Sequence, residues 1–130
     1  MLESIRGGVP RVLVVDDDEN VRVGLARALA ALTSWEVEVA RDAFEAGYLL
    51  ASFRPDLVLL DVVMPGMGGL DICARMRRLA GHEPLRIVIL TGYDGSGHNE
   101  RSLISGADLF LTKPVDVDEI LRHMRDLLEG

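Results

Sequence analysis

Four short apolar runs, each ended by a charged or reactive side chain, constrain what this chain can fold into. Continuous apolar runs of about four to eight residues are typical of parallel strands buried on both faces. In an open α/β sheet, the binding crevice lies beyond the carboxyl ends of such strands. The runs and their end residues are Val12–Val15 with Asp16 and Asp17, Leu57–Leu60 with Asp61, Ile87–Leu90 with Thr91, and Leu109–Thr112 with Lys113. The pattern predicts that three carboxylates, a hydroxyl and an ammonium meet at one sheet edge, a set suited to a divalent metal ion and a phosphoryl group.

Segments with helical spacing of apolar residues separate these runs, apart from one polar–apolar alternation at 36–39 that indicates an edge strand. The first helix is predicted to bury Val21, Leu25, Ala28, Leu29 and Leu32. The predicted helices are Asn20–Leu32, Ala43–Phe53, Leu70–Leu79, a weaker glycine-rich one between Gly92 and Ile104, and one from Asp116 to Leu128. Strand and helix therefore alternate five times, which predicts a doubly wound parallel sheet.

Composition narrows the class of protein. A length of 130 residues with 48% hydrophobic residues fits one domain with a full core. The net charge of −7 argues against direct binding to nucleic acid or anionic lipid. Cys73 is the single cysteine, so no internal disulfide can form. No apolar stretch reaches the roughly 20 residues of a membrane span, and residues 1–10 lack a signal-peptide core, so we expect a cytoplasmic protein with no membrane partner.

Four sequence motifs resemble the receiver domain of two-component response regulators. They are VLVVDDDE, LVLLDVVMPGMGG, IVILTGYD and GADLFLTKP, in that order, with 44 residues from Asp17 to Asp61, 30 to Thr91 and 22 to Lys113. The resemblance covers residues 11–128 and leaves residues 1–10 as a flexible leader. It implies a flavodoxin-like fold, in which helices cover both faces of a five-stranded parallel sheet of order 2-1-3-4-5.

The resemblance implies that Asp61 accepts a phosphoryl group. It also implies a Mg²⁺ cofactor held by Asp16, Asp17, Asp61 and the backbone carbonyl of Val63, with Asp16 acting mostly through water. Oxygen ligands suit Mg²⁺, and clustered carboxylates repel one another until a metal binds. A solvated turn or a helix N-cap is the alternative role for Asp16 and Asp17.

Lys113 is expected to pair with the phosphoryl group and, before phosphorylation, with Asp61. The family places a cis peptide bond before the following proline, so we expect Lys113–Pro114 to be cis. The alternative is a lysine that is merely solvated. Asp61, Thr91 and Lys113 are thus the predicted catalytic residues for self-phosphorylation.

Thr91 and Phe110 match the family's switch positions. The resemblance implies that Thr91 moves toward the phosphoryl group and that the Phe110 ring turns inward behind it; ordinary core packing is the alternative for Phe110. Val63, Gly92 and Tyr93 occupy positions that tune the loss of the phosphoryl group. Val63 and Tyr93 are bulky and not acidic, so we expect them to shield the acyl phosphate from water.

The resemblance implies a phosphorylation-dependent signalling switch and no further enzyme activity. Its expected partner is a sensor histidine kinase or a phosphotransfer protein. The chain would be a stand-alone regulator or the receiver part of a longer transcriptional regulator. A homodimer through the predicted fourth helix, last strand and last helix stays open beside a monomer. Two other functions remain: a docking domain that is never phosphorylated, and a phosphatase of another α/β family. The phosphatase is disfavoured because Val63 stands where such enzymes usually carry a second aspartate.

Overall fold

The four apolar runs and the alternating segment form one parallel sheet. The computed structural model describes residues 8–61, 69–81, 84–91 and 106–129, with the backbone alone for 69–72 and 91. The strands are β1 (Arg11–Val15), β2 (Glu36–Ala40), β3 (Leu57–Asp61), β4 (Arg86–Thr91) and β5 (Leu109–Thr112). Their order is β2-β1-β3-β4-β5, and every neighbouring pair is parallel. The predicted fold class and strand order are confirmed.

Helices lie in the connections between the strands and after the last one. The structure describes α1 (Glu19–Leu32), α2 (Ala43–Ser52), α3 (Gly69–Ala80) and α4 (Val117–Glu129). The predicted bounds agree with these to within one residue at most ends. The predicted helix between Gly92 and Ile104 lies outside the described residues, as does the start of the predicted leader. None of the helices described is long and apolar enough to cross a membrane.

Aspartates begin three of these helices. Each accepts a hydrogen bond from a backbone N–H in the first turn: Asp18 from Asn20 and Val21, Asp42 from Glu45, and Asp116 from Glu119. A carboxylate at this position satisfies an otherwise orphaned donor and interacts favourably with the helix dipole. Asp116 therefore caps α4 from the position just before its first residue, which is where the sequence predicted the helix to begin.

Side chains of alternate strand residues enter two core layers. Under α2 and α3, Leu13, Val58, Ile87 and Ile89 pack with Ala46, Cys73 and Met76. Under α1 and α4, Val12, Val14, Leu57 and Val88 pack with Leu29, Trp35, Ile120 and Met124. Both faces of the central strands are buried, as continuous apolar runs require. β2 differs, because Glu36 and Glu38 are exposed beside half-buried Val37 and Val39, which confirms its edge position.

One predicted core residue is wrong. Leu32, expected to be buried, is 49% exposed at the end of α1. Trp35, in the turn that follows, packs in the same core layer as Leu29 and is 8% exposed. The indole thus covers the end of the helix, and Leu32 is left outside the layer that its helical spacing indicated.

Candidate functional site

The carboxyl ends of β1 and β3 bring two buried carboxylates together. Asp16 directly follows β1 and Asp61 ends β3, and the residues just before them, Val15 and Leu60, are paired in register. Their exposures are only 2% and 7%. Burying an ionised carboxylate is costly unless it is paired or hydrogen-bonded. The hydrogen-bond and ion-pair partners of these two carboxylates therefore determine which ligands the site can bind.

Asp61 is paired with a lysine from across the sheet. Lys113 Nζ donates to Asp61 Oδ2 at 2.5 Å. Pairing of Thr91 with Thr112 places Lys113 one residue beyond the end of β5, and the Lys113–Pro114 peptide bond is cis, the isomer that the family resemblance implies. The ammonium offsets the charge of the buried carboxylate and reaches it from a strand two positions away in the sheet.

Asp16 is less well satisfied. Its Oδ1 accepts from the backbone N–H of Asp18 at 2.9 Å. Its Oδ2 is fully buried, and no donor from the described part of the chain reaches it. Burial, with the carboxylate of Asp61 nearby, raises the pKa of Asp16 to about 6. A buried carboxylate oxygen without a donor is one whose cost a bound cation would relieve.

The two neighbouring aspartates play different parts. Asp18 is the N-cap of α1, so the capping role considered for Asp16 and Asp17 belongs to the next residue. Asp16 is buried rather than solvated, whereas Asp17 is exposed at the same edge. The sequence reasoning missed Arg22, whose guanidinium donates to the Asp16 carbonyl oxygen at 3.0 Å. The sequence signal that could have identified Arg22 is its position in the first turn of α1, the helix that begins just after the site aspartates.

The predicted Mg²⁺ ligands share one edge of the sheet without forming a closed cluster. Among the side chains described, no three from His, Cys, Asp and Glu lie close enough to hold a metal ion. Asp17 is exposed and Asp61 is engaged by Lys113, while Val63 lies outside the described residues. Joint coordination of Mg²⁺ by this set stays a prediction. The donors present are hard carboxylate oxygens, the type that Mg²⁺ prefers.

The predicted switch residues lie on adjacent strands. Thr91 ends β4, and Phe110 lies in β5 opposite Ile89. The Phe110 ring is half-buried and packs against the core layer under α2 and α3. This packing agrees with the ordinary core role, and switching stays a prediction. The Thr91 side chain and the whole of Gly92 and Tyr93 lie outside what the structure describes.

Sequence comparisons identify relatives of one kind. A family profile described as the response regulator receiver domain matches residues 12–125. The response regulator MprA of Mycolicibacterium vanbaalenii is 44% identical over 118 residues, which cover 91% of this chain and 50% of that protein. MprA of Mycobacterium avium is 42% identical over the same coverage. The chain thus spans about half the length of these curated relatives.

Structural comparisons agree. The receiver domain of a response regulator from Bermanella marisrubri is 34% identical and superposes with a TM-score of 0.83, covering 92% of this chain and 98% of that one. A CheY-like receiver domain protein from Methanospirillum hungatei gives a TM-score of 0.85 at 27% identity, with coverages of 94% and 95%. The sequence and structural comparisons therefore indicate the same kind of relative over more than nine-tenths of the chain.

Proposed function

Because this chain belongs to the response regulator receiver domain family, we propose that it is a phosphorylation-dependent signalling switch whose phosphoryl acceptor is Asp61. The observation that carries the proposal is the buried Asp61 carboxylate, paired with Lys113 beside the incompletely satisfied Asp16. A structural ion pair alone would not need a second buried carboxylate beside it, one of whose oxygens receives no donor from the described residues. In a site that binds a phosphoryl group and a metal ion, the Lys113 ammonium would pair with the phosphoryl group and the Asp16 carboxylate would bind the metal ion.

In the proposed transfer, an Asp61 carboxylate oxygen attacks the phosphorus atom of a donor. A P–O bond forms, the bond from phosphorus to the donor breaks, and the leaving group takes that electron pair. A carboxylate is a weak nucleophile, so the barrier depends on positioning and on neutralising charge around the phosphoryl group. Lys113 already pairs with the Asp61 carboxylate and, after transfer, would pair with the oxygens of the phosphoryl group. Thr91, one residue beyond the register partner of Asp61, would donate its hydroxyl to them.

Mg²⁺ fits the donors at this edge. Asp16, Asp17 and Asp61 would hold it with the backbone carbonyl of Val63. The buried Asp16 Oδ2, which no described donor reaches, is an oxygen that the ion would satisfy. When bound, the ion would supply neutralisation of negative charge on the phosphoryl group. Arg22 fixes the backbone between the two aspartates, because its guanidinium binds the Asp16 carbonyl.

Phosphorylation adds about −1.5 to −2 charge at Asp61, and that change must reach a surface to act as a signal. We assign this transmission to Thr91 and Phe110, on the two neighbouring strands β4 and β5. Val63, Gly92 and Tyr93 would set how long the phosphoryl group lasts.

The partners follow from the family. The donor would be a sensor histidine kinase or a phosphotransfer protein in the cytoplasm. Because the chain spans half of its curated relatives, we propose that it can serve as the receiver part of a longer transcriptional regulator. Dimerisation through the predicted fourth helix, β5 and α4 is one way to pass the signal on. Beyond its own phosphorylation and dephosphorylation we assign no enzyme activity.

The test is mass spectrometry of the protein incubated with acetyl phosphate, with and without Mg²⁺. We expect a Mg²⁺-dependent gain of one phosphoryl group, which Asp61→Asn abolishes and Asp126→Asn, on the exposed side of α4, does not. Repeating the reaction with phosphoramidate and with phosphorylated histidine kinases covers donors of different size. If none of these donors modifies the folded wild-type protein, the switch is disproved and a docking role takes its place.

A further inference from the structure

The outer face of α2 is apolar, which its packing on the sheet does not require. Of its ten residues only Glu45 is charged, although surface helices normally carry polar residues on the solvent side. Ala46 faces the core, whereas Phe44 and Tyr48 are 86% and 68% exposed. Ala51 is also exposed and completes an i, i+4, i+7 stripe with them, so the three share one helix face.

This stripe continues into a cavity between the ends of α2 and α3. The cavity has a volume of about 200 Å³, and Ala51, Arg54, Leu79 and Leu85 are among the residues that line it. Leu79 is itself 62% exposed. Ala51 belongs to both the stripe and the cavity, so the two form one surface. We call it the α2–α3 groove, which consists of Phe44, Tyr48, Ala51 and Leu79 together with Arg75 and Arg78 of α3.

The α3 side of the groove is basic. Arg75 and Arg78 are exposed, and Arg75 lies one helical turn before Leu79 and on the same side of α3. Arg77 points elsewhere, because its guanidinium donates to the Gly106 carbonyl and to Asp108. No acidic side chain is among the described residues that line the cavity. Although the chain carries a net charge of −7, the described residues here combine apolar side chains with the arginines Arg54, Arg75 and Arg78.

We propose that the α2–α3 groove docks an acidic amphipathic helix of a partner protein. Its apolar side would cover Phe44, Tyr48 and Leu79, and its carboxylates would lie against Arg75 and Arg78. Laying an amphipathic helix into an apolar groove is a recurrent recognition mode, and flanking charges of opposite sign fix orientation and exclude basic partners.

The cavity end of this surface lies away from the phosphoryl-acceptor site, whereas Phe44, four residues after the end of β2, lies toward the same carboxyl edge as Asp61. The cavity lies at the residues that precede β3 and β4, the sheet edge opposite Asp61. Five strand residues at about 3.3 Å each place the two edges roughly 16 Å apart. Neither Asp61 nor Lys113 belongs to the groove, so docking should persist when Asp61 is replaced, and this distinguishes failure of the docking proposal from failure of the phosphorylation proposal.

The probes are two fluorescein-labelled helical peptides with the same leucine stripe, one flanked by glutamates and the other by lysines, titrated with the 130-residue protein by fluorescence anisotropy. We expect the glutamate peptide to bind at least about tenfold more tightly than the lysine peptide. Phe44→Ala and Arg78→Glu should each weaken the glutamate peptide about tenfold or more. Leu32→Ala and Arg122→Glu, exposed changes on α1 and α4, are the matched controls and should leave its affinity within about twofold.

Circular dichroism of each variant separates loss of docking from loss of fold. Equal affinity for both peptides, or no effect of Phe44→Ala and Arg78→Glu in folded protein, would overturn the proposal. Sedimentation velocity of the protein alone tests the other occupant of the groove. Self-association that Phe44→Ala abolishes would show that a second copy covers this face, and would also overturn the assignment to a partner helix.

Discussion

The two edges of the sheet both bury carboxylates and treat them in opposite ways. At the amino-terminal edge, Asp56 is 0% exposed and accepts from the backbone N–H of Arg11 at 2.8 Å. At the same edge, the more exposed Asp108 also accepts from a strand backbone, the Ile87 N–H, and from the Arg77 guanidinium. At the carboxyl edge, Asp16 keeps one oxygen without a donor among the described residues. Carboxylates bonded to the backbone fasten strands together, whereas an incompletely bonded one is available to a ligand.

The largest effect should come from breaking the amino-terminal edge. Asp56→Ala removes the acceptor of the partly buried Arg11 N–H and empties the space of a side chain that is itself fully buried. We expect the free energy of unfolding to fall by about 3 kcal/mol, measured by urea denaturation. Asp126→Ala, on the exposed side of α4, should change it by less than about 0.5 kcal/mol. Equal stability of the two variants would mean that Asp56 does not fasten β1 to β3.

The carboxyl edge should instead reveal itself through pH. The folded-state pKa of Asp16 is about 6, above its ordinary value of 3.8, so the folded protein binds this proton more tightly than the unfolded chain does. The resulting stabilisation is complete below pH 3.8 and is lost as the pH rises through 6. In metal-free protein, Asp16 should therefore lower the free energy of unfolding by about 2 kcal/mol between pH 4 and pH 7.

Urea denaturation across this pH range, for wild type and for Asp16→Asn, isolates the contribution. The amide has no proton to lose in this range, and its oxygen can still accept from the Asp18 N–H. The difference in stability between the two proteins should change steadily from pH 4 to pH 7. Parallel curves would show that burial of Asp16 has no such cost.

The smallest expected effect is stabilisation by Mg²⁺, which sharpens the contrast between the edges. A ligand that binds only the folded state at ten times its Kd adds about 1.4 kcal/mol. We expect this gain at pH 7.5 in wild type and in Asp56→Ala, and its loss in Asp16→Asn and Asp61→Asn, measured as a shift in urea midpoint. Equal stabilisation of Asp61→Asn would place the ion elsewhere.

Local patterns predicted most of the fold. β1 and β3 are read correctly because a continuous apolar run bounded by turns has few other structures open to it. β2 is recognised as an edge strand because Glu36 and Glu38 alternate with valines. The parallel topology predicted that Asp61 and Lys113 share one sheet edge, and the family resemblance predicted that they pair, although 52 residues separate them.

What the sequence did not predict depends on contacts between distant residues. Nothing in the local pattern around Asp56 indicates that it binds the Arg11 N–H, 45 positions away. Periodicity placed Leu32 in the core, but at the end of α1 it is 49% exposed. Three consecutive aspartates also look alike in the sequence, and only the start of α1 assigns the cap to Asp18 and burial to Asp16.

The glutamates along β2 have a consequence for how this protein behaves in a crowded solution. The open edge of a sheet offers N–H and C=O groups to any passing strand, and charged side chains are one defence against aggregation. Glu36 and Glu38 are both exposed on this five-residue strand. If two molecules paired through their β2 edges, their negatively charged glutamates would lie close together. Their repulsion discourages fibre growth from this edge and leaves the helical surfaces for association.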